Sequence, residues 1–304
     1  LADLRREAGS PPSTTMRTHL RRLERLGIVE RREQSAFPGN VEFELGTAGE
    51  GMLVVSGALE GWLAGAPDGE VALGTVASKS AIGALVHGWS TSMIRALAAR
   101  PLTLTELSRV ISTVSYPSLE RRLAAMRLAG QVERRAGSGR GAPYGPTDWL
   151  RQAVAPLAAA ARWERRHLAP NRAPVAPRDV EAVFLLTLAE LRLDQEHSGA
   201  CRLVVEFADG SERRLAGVLA GVEKGKVAFC STRLEGRPSA SVAGSTGAWL
   251  DALLERDGDL LEFSGDVELG RALFEAFRSY LTPIHVMRGS AHAEPSSGSS
   301  MLGR

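Results

Sequence analysis

Cysteine and lysine are scarce in this chain of 304 residues, and long apolar runs are missing altogether. Two cysteines, Cys201 and Cys230, are too few for a disulfide scaffold or a cysteine-rich zinc site. A reducing, cytoplasmic setting is the expectation that follows. No apolar run approaches the roughly 18 residues of a membrane span, which argues against an integral membrane protein. The first residues show no basic-then-apolar leader, so nothing there argues for secretion. Leu1 reads as the middle of an element, and a truncated N-terminus is expected. The six histidines lack metal-like spacing, apart from a lone i, i+4 pair, His197 and Cys201. There is no GxSxG elbow, no HExxH and no Lys-Ser or Lys-Thr after the Gly-rich run 137–141. The carboxylates are scattered, so no acid/base pair stands out. The expectation is a protein that is not an enzyme, with no catalytic residue, no metal and no cofactor.

Apolar residues at 44% and charged residues at 24% are ordinary for a globular chain and exclude a wholly disordered or fibrous one. The net charge of +2 hides a split. Residues 1–174 hold 23 Lys and Arg against 16 Asp and Glu, net +7; residues 175–304 hold 14 against 19, net −5. Halves of opposite sign suggest modules with different partners. Lysine occurs only at Lys79, Lys224 and Lys226; the other cations are arginines. Arginine suits phosphate and base-edge contacts, although genome composition explains the preference equally well, so the clustering carries more weight. Two linkers are expected. One is Gly65-Ala-Pro-Asp-Gly69, the other the proline-rich stretch 169–178, which cannot continue a helix. The Gly/Ser-rich tail, 288–304, is expected to be disordered.

The basic half contains a repeat. An offset of 103 residues aligns Leu1, Leu4 and Arg6 with Leu104, Leu107 and Arg109. It also aligns Leu20 with Leu123, Gly27 with Gly130, Val29 with Val132, and Glu30-Arg-Arg32 with Glu133-Arg-Arg135. Met16, Leu20 and Leu23 share one helical face, as do Leu119, Leu123 and Met126. Ser13 and Ser115 stand where an N-cap is wanted, and Gly27 and Gly130 where a helix ends. A short strand, a Gly-rich turn (37–40 or 137–143) and a return strand (Val41–Leu45 or Pro143–Pro146) follow each helix. A further helix precedes each: Leu1–Ala8 and Leu104–Ile111. The helices Gly49–Leu63 and Trp149–His167 come after the hairpins.

This layout of helix, turn, helix and hairpin resembles the HxlR family of bacterial transcription regulators and, more loosely, the MarR family. The second copy carries the resemblance most completely. Trp89–Leu97 resembles that family's first helix, Leu102–Leu107 its second, Ser115–Gly130 its recognition helix, and Val132–Arg135 the strand into the wing. The cysteine usual before the first helix is absent near Val86 and His87, which argues against a cysteine-based redox switch. The resemblance implies tandem winged helix-turn-helix units at 1–66 and 78–168 and double-stranded DNA as partner, in a pseudo-dimeric monomer or a homodimer.

A recognition helix turns one face to its own core and the other to the major groove. At about 100° per residue, Thr14, Thr18 and Arg21 lie opposite Met16, with Arg17 on the flank. In the second copy Tyr116 and Ser118 lie at the helix start, Arg121 replaces Thr18, and Arg122 falls on the flank. Arg31, Arg32, Arg134, Arg135 and Arg140 are wing candidates for phosphate or minor-groove contact. For any single arginine a solvated face explains as much. Recurrence on two units favours DNA.

The acidic half begins with an apolar helix, Val180–Leu193. Strand signals follow at Cys201–Phe207, Arg213–Val218, Lys226–Cys230, Ser239–Ala243 and Leu260–Phe263, with Ala-Asp-Gly (208–210) as a hairpin turn. Helices are expected at Thr246–Glu255 and Val267–Tyr280. The predicted class is α+β: two winged units, then an antiparallel sheet over 179–282 with helices on one face. The strand Arg202–Asp209, the helix start Ser245–Leu250 and the segment Leu261–Leu269 resemble the sterol-carrier-protein-like domain. That resemblance implies an apolar small-molecule effector bound between sheet and helices. Candidate lining residues are Phe184, Leu188, Phe229, Trp249, Leu253, Phe263, Phe274 and Phe277, for each of which ordinary core is the commoner reading. The sequence thus points to a ligand-sensing transcription regulator. The alternative is a lipid or apolar-molecule carrier, or a scaffold whose winged helices contact proteins.

Overall fold

The computed structural model describes residues 2–7, 9–33, 41–86, 90–136, 141–168, 175–194, 196–209, 212–255 and 259–281. Leu1, Ala8, the first turn 37–40, Trp89, Arg140, Gly210, the linker residues 169–174 and the tail 288–304 lie outside them.

Two helices, α1 (Ala2–Glu7) and α2 (Ser13–Arg25), precede an antiparallel hairpin of β1 (Val29–Glu33) and β2 (Val41–Leu45). Leu20 is buried on α2, with Met16 and Leu23 half-buried beside it, so the apolar stripe faces inward. Gly27 takes φ +66° and Gly130 +71°, the left-handed conformation that lets each chain leave its helix. Ser115 takes the N-cap position expected of it, although without a side-chain capping bond, whereas Ser13 falls one residue inside its helix. Pro12 precedes α2 without a capping bond, and the Ser115 hydroxyl pairs instead with that of Ser118 at 3.0 Å. The long helix α3 (Thr47–Ala64) then leads into α4 (Val76–Val86). The segment that the sequence offset pairs with the first comprises α5 (Ser90–Ala99), α6 (Leu104–Val110), α7 (Tyr116–Leu128) and the hairpin β3 (Val132–Arg134) and β4 (Tyr144–Pro146). Leu119, Leu123 and Met126 are buried on α7. The helix expected from Trp149 to His167 is interrupted at Ala153, giving α8 (Asp148–Gln152) and α9 (Val154–His167).

Helix α10 (Pro177–Leu188) opens the acidic half, and the Asp179 carboxylate accepts the Ala176 N–H at 2.9 Å at its start. The strands are β5 (Gly199–Asp209), β6 (Glu212–Glu223), β7 (Lys226–Ser231), β8 (Ala240–Ser245) and β9 (Glu262–Gly265), in the order β7-β6-β5-β8-β9. The expected antiparallel sheet is in fact mixed: β5 and β8 are parallel, Leu203 facing Val242. After the β5–β6–β7 meander the chain returns to the far side of β5 before forming β8, and that crossover fixes the parallel pair. Helix α11 (Thr246–Leu250) continues into a π-helical turn (Asp251–Glu255), and α12 (Val267–Leu281) closes the chain.

Alternation sorts the sheet residues. Cys201, Leu203, Val205, Val218, Ala220, Ala240 and Val242 are buried beneath α10, α11 and α12. The core under these helices is continuous with that of α5–α7, while a second cluster around Ile28, Ala48, Val55, Ala159 and Trp163 joins the first copy to α9.

Candidate nucleic-acid interface

The polar face of α2 is built by the burial of its opposite side. Thr14, Arg17, Thr18 and Arg21 are all exposed. The Thr18 hydroxyl donates to the Thr14 carbonyl at 2.9 Å, a bond within the helix's own backbone turn. On the hairpin that follows, Arg31 and Arg32 are exposed, and Arg32 pairs with Glu44 at 3.0 Å. An exposed pair of this kind is weak and can exchange for phosphate.

The second copy is similar in outline and different in detail. Tyr116 and Arg121 are exposed on α7, and Ser118 is half-buried. Arg134 is exposed on β3. Arg135 is committed within its own hairpin, donating to the Pro146 carbonyl at 2.6 Å and pairing with Glu133 at 3.0 Å. Arg122, expected on the flank of the outward face, is half-buried and turns toward α4, where it lines a cavity. Arg122 therefore stands apart from the outward set, whereas Arg135 is exposed but held within its hairpin.

The two copies meet through their post-hairpin helices. Trp62 and Trp149 stack with ring centroids 4.4 Å apart and planes 7° from parallel. The Trp62 indole N–H donates to the Trp149 carbonyl at 2.8 Å, and that of Trp149 returns to the Trp62 carbonyl at 2.7 Å. At the other end of the same helix pair the Trp163 N–H donates to the Ala48 carbonyl at 2.7 Å. The second hairpin loop is two residues shorter than the first, so the repeat offset falls from 103 before it to 101 after it. At 101, Trp62 matches Trp163 and Ala48 matches Trp149. The two indole-to-carbonyl bonds are thus equivalent under exchange of the copies, the pattern of an isologous two-fold contact. The 103-residue register conceals this pair; resetting it across the shorter loop would have exposed both tryptophans in the sequence.

The apolar candidates of the acidic half fall into two groups. Phe184, Leu188, Trp249, Leu253, Phe274 and Phe277 are buried together, with Phe263 half-buried beside them. Phe184 meets Trp249 and Phe277 edge-on at 4.8 and 5.4 Å, and Phe274 meets Trp249 and Phe263 at 6.4 and 6.0 Å. These rings fill the space between sheet and helices at ordinary core spacing. Phe229 stands apart, 53% exposed and lying over Gly221, its partner on β6, on the opposite face of the sheet. The Phe229 expectation is therefore corrected. The strand is displaced by an irregularity at Gly221/Val222, which turns the ring outward. Burial pushes the thiols of Cys201 and Cys230 up to about 12, so neither is poised as a nucleophile.

Two helices crossing ahead of a β-hairpin, with the second helix presenting threonine and arginine, define a helix-turn-helix. Residues 1–68 match the family model described as HxlR-like helix-turn-helix, which supports DNA-binding transcription regulation for that span. The match covers 68 of the 304 residues. No curated protein and no solved structure matches the chain. Among the described residues, no helix is long and apolar enough to cross a membrane.

Proposed function

We propose that the chain is a DNA-binding transcription regulator that reads operator half-sites with two winged helices, α2 and α7. The observation that carries this reading is the exposed set Thr14, Arg17, Thr18 and Arg21 on α2, inside the span similar to HxlR-like helix-turn-helix domains. Threonine and arginine on the outer face of such a helix can meet base edges and phosphates. The equivalent bonds of Trp62 and Trp163 support a covalent pseudo-dimer, with units near 1–66 and 78–168 related by an approximate two-fold. Because Thr18 is replaced by Arg121, the preferred half-sites differ.

The order of elements from α10 through β5–β7, the crossover to β8, α11, β9 and α12 supports a sterol-carrier-like reading of residues 179–282. An apolar effector there would have to part the ring cluster around Phe184 and Trp249. Its effect on operator affinity would pass through α9, which touches both neighbours.

The test is a fluorescence-anisotropy titration with random-sequence duplex DNA at several salt concentrations, comparing wild type with the Arg21→Ala/Arg121→Ala variant. Binding with a steep salt slope, weakened in the variant, is expected, because each lost phosphate or base contact removes released counterions. Absence of binding at low salt overturns the DNA reading and leaves the winged helices as protein-contact modules.

A further inference from the structure

A cavity of about 780 Å³ lies beside α7, on the flank that carries Arg122, Ala125 and Leu128. Its walls come from four places: the turn after α3 (Ala66, Pro67, Asp68, Val71), α4, α5 (Ser90, Met93) and the flank of α7 that carries Arg122, Ala125, Met126 and Leu128. Trp149 of the stacked pair closes one end. The volume lies in the range of small-molecule sites, and most of the lining is Ala, Gly, Val, Met and Leu.

Three observations mark it as more than a packing defect. Leu128 and Val76, both part of the lining, are 86% and 82% exposed, so the mouth presents large apolar side chains to water. Arg122 is half-buried in the wall and Lys79 stands on α4; among the described residues neither forms an ion pair. Asp68 is the one acidic residue in the lining, so the cavity carries an excess of one positive charge. Apolar walls with two unpaired cations are complementary to a molecule that has an apolar body and a single negative group. A half-buried guanidinium holds a carboxylate with charge-assisted hydrogen bonds, and apolar walls remove the rest of the ligand from water.

We propose that this cavity binds an amphipathic monoanion, an aromatic or aliphatic carboxylate, with Arg122 and Lys79 on the carboxylate and the body against Ala81, Ala84, Met93 and Ala125. The site is separate from the ring cluster under the C-terminal sheet. It is bounded on one side by the helix that carries Arg121 and on the other by the tryptophan pair that joins the two copies.

The experiment needs no DNA and so stands independently of the DNA reading. Isothermal titration of the full chain with 2-naphthoate is compared with its neutral counterpart, 2-naphthalenemethanol. Naphthoate is expected to bind more tightly than the alcohol. Arg122→Gln and Lys79→Gln should each weaken naphthoate by about tenfold and leave the alcohol unchanged. Ala125→Phe, which fills the cavity from α7, should weaken both. Circular dichroism and thermal unfolding of each variant verify the fold, and Lys79→Gln, at an exposed position, keeps the test sound if Ala125→Phe misfolds. No binding of naphthoate at millimolar concentration overturns the proposal. So does binding that all three variants leave unaltered, which would locate the anion elsewhere in the molecule.

Discussion

Thr103 caps α6 from both directions. Its hydroxyl accepts the Glu106 N–H at 3.2 Å, while the Glu106 carboxylate accepts the Thr103 N–H at 2.8 Å and its hydroxyl at 2.9 Å. These bonds, with Arg100 at 3.4 Å, hold the Glu106 carboxyl below its ordinary value of 4.5. A depressed folded value means that the stabilisation is present above 4.5 and is lost as pH falls through the folded value. Thr103→Ala should cost about 1 kcal/mol near neutral pH. The gap from wild type should shrink as the solution is acidified below that range. Urea unfolding of both proteins across pH measures it, and a gap that widens in acid would contradict the assignment. Arg121 and Arg122 make a related point about single residues. They are neighbours in sequence, yet about 100° of helical rotation puts one in solvent and the other in a cavity wall. Spacing alone puts Arg121 in solvent, but the burial of Arg122 depends on α4, which packs against α7 from a distant part of the sequence.

At the level of elements, the tryptophan bonds decide how the two copies sit together. Trp163→Phe removes the bond to the Ala48 carbonyl while keeping most of the ring packing, and Trp62→Phe does the same at the Trp149 carbonyl. Each should destabilise by about 1–2 kcal/mol, since each leaves a buried carbonyl without that donor. Trp62→Phe should cost more, because the Trp62 indole also stacks on Trp149, while its backbone carbonyl keeps the Trp149 N–H in either case. Thermal unfolding ranks them; equal effects would mean that the stack contributes nothing. Helix and strand positions were largely legible here because Leu20, Leu123, Gly27 and Gly130 recur with helical spacing and helix-ending chemistry. Helix α4 (VASKSAIGALV) was not, since alanine, glycine and serine give no apolar stripe to read. The break at Ala153 was readable: Pro156 has no N–H for the Gln152 carbonyl, so the helix stops and restarts with the proline in its new first turn. The parallel β5–β8 pair was missed for a different reason. Strand β8 (ASVAGS) is short and small, and pairing between residues 39 positions apart leaves no local signal. The tryptophan pair was readable in principle, through the change in repeat offset.

For the molecule as a whole, α9 is the shared beam. Its Trp163 reaches Ala48 in the first copy, while Arg162 donates to the Leu254 carbonyl at 2.7 Å, Arg165 pairs with Asp251 and Arg166 with Glu255 at 3.0 Å. A second bridge runs through α10. Arg95 on α5 pairs with Glu181, whose side chain is 5% exposed and also accepts the Gly217 N–H of β6 at 2.6 Å. One buried carboxylate thus ties the second copy to the C-terminal sheet, across a core that is continuous from Met93 to Phe277. The consequence is cooperativity: α5–α7 and the sheet should open together, not as separate domains. Arg95→Ala leaves the Glu181 carboxylate buried with a single donor and should cost about 2 kcal/mol, discounted for the partial exposure of the arginine. Hydrogen exchange separates this from a local effect. In Arg95→Ala, amides of α7 and of β5 should lose protection by the same factor, although neither element contains the substituted residue. Loss confined to α5 and its immediate neighbours would mean that the continuous apolar core does not couple the two parts. Any effector bound in one would then have no mechanical route to the other.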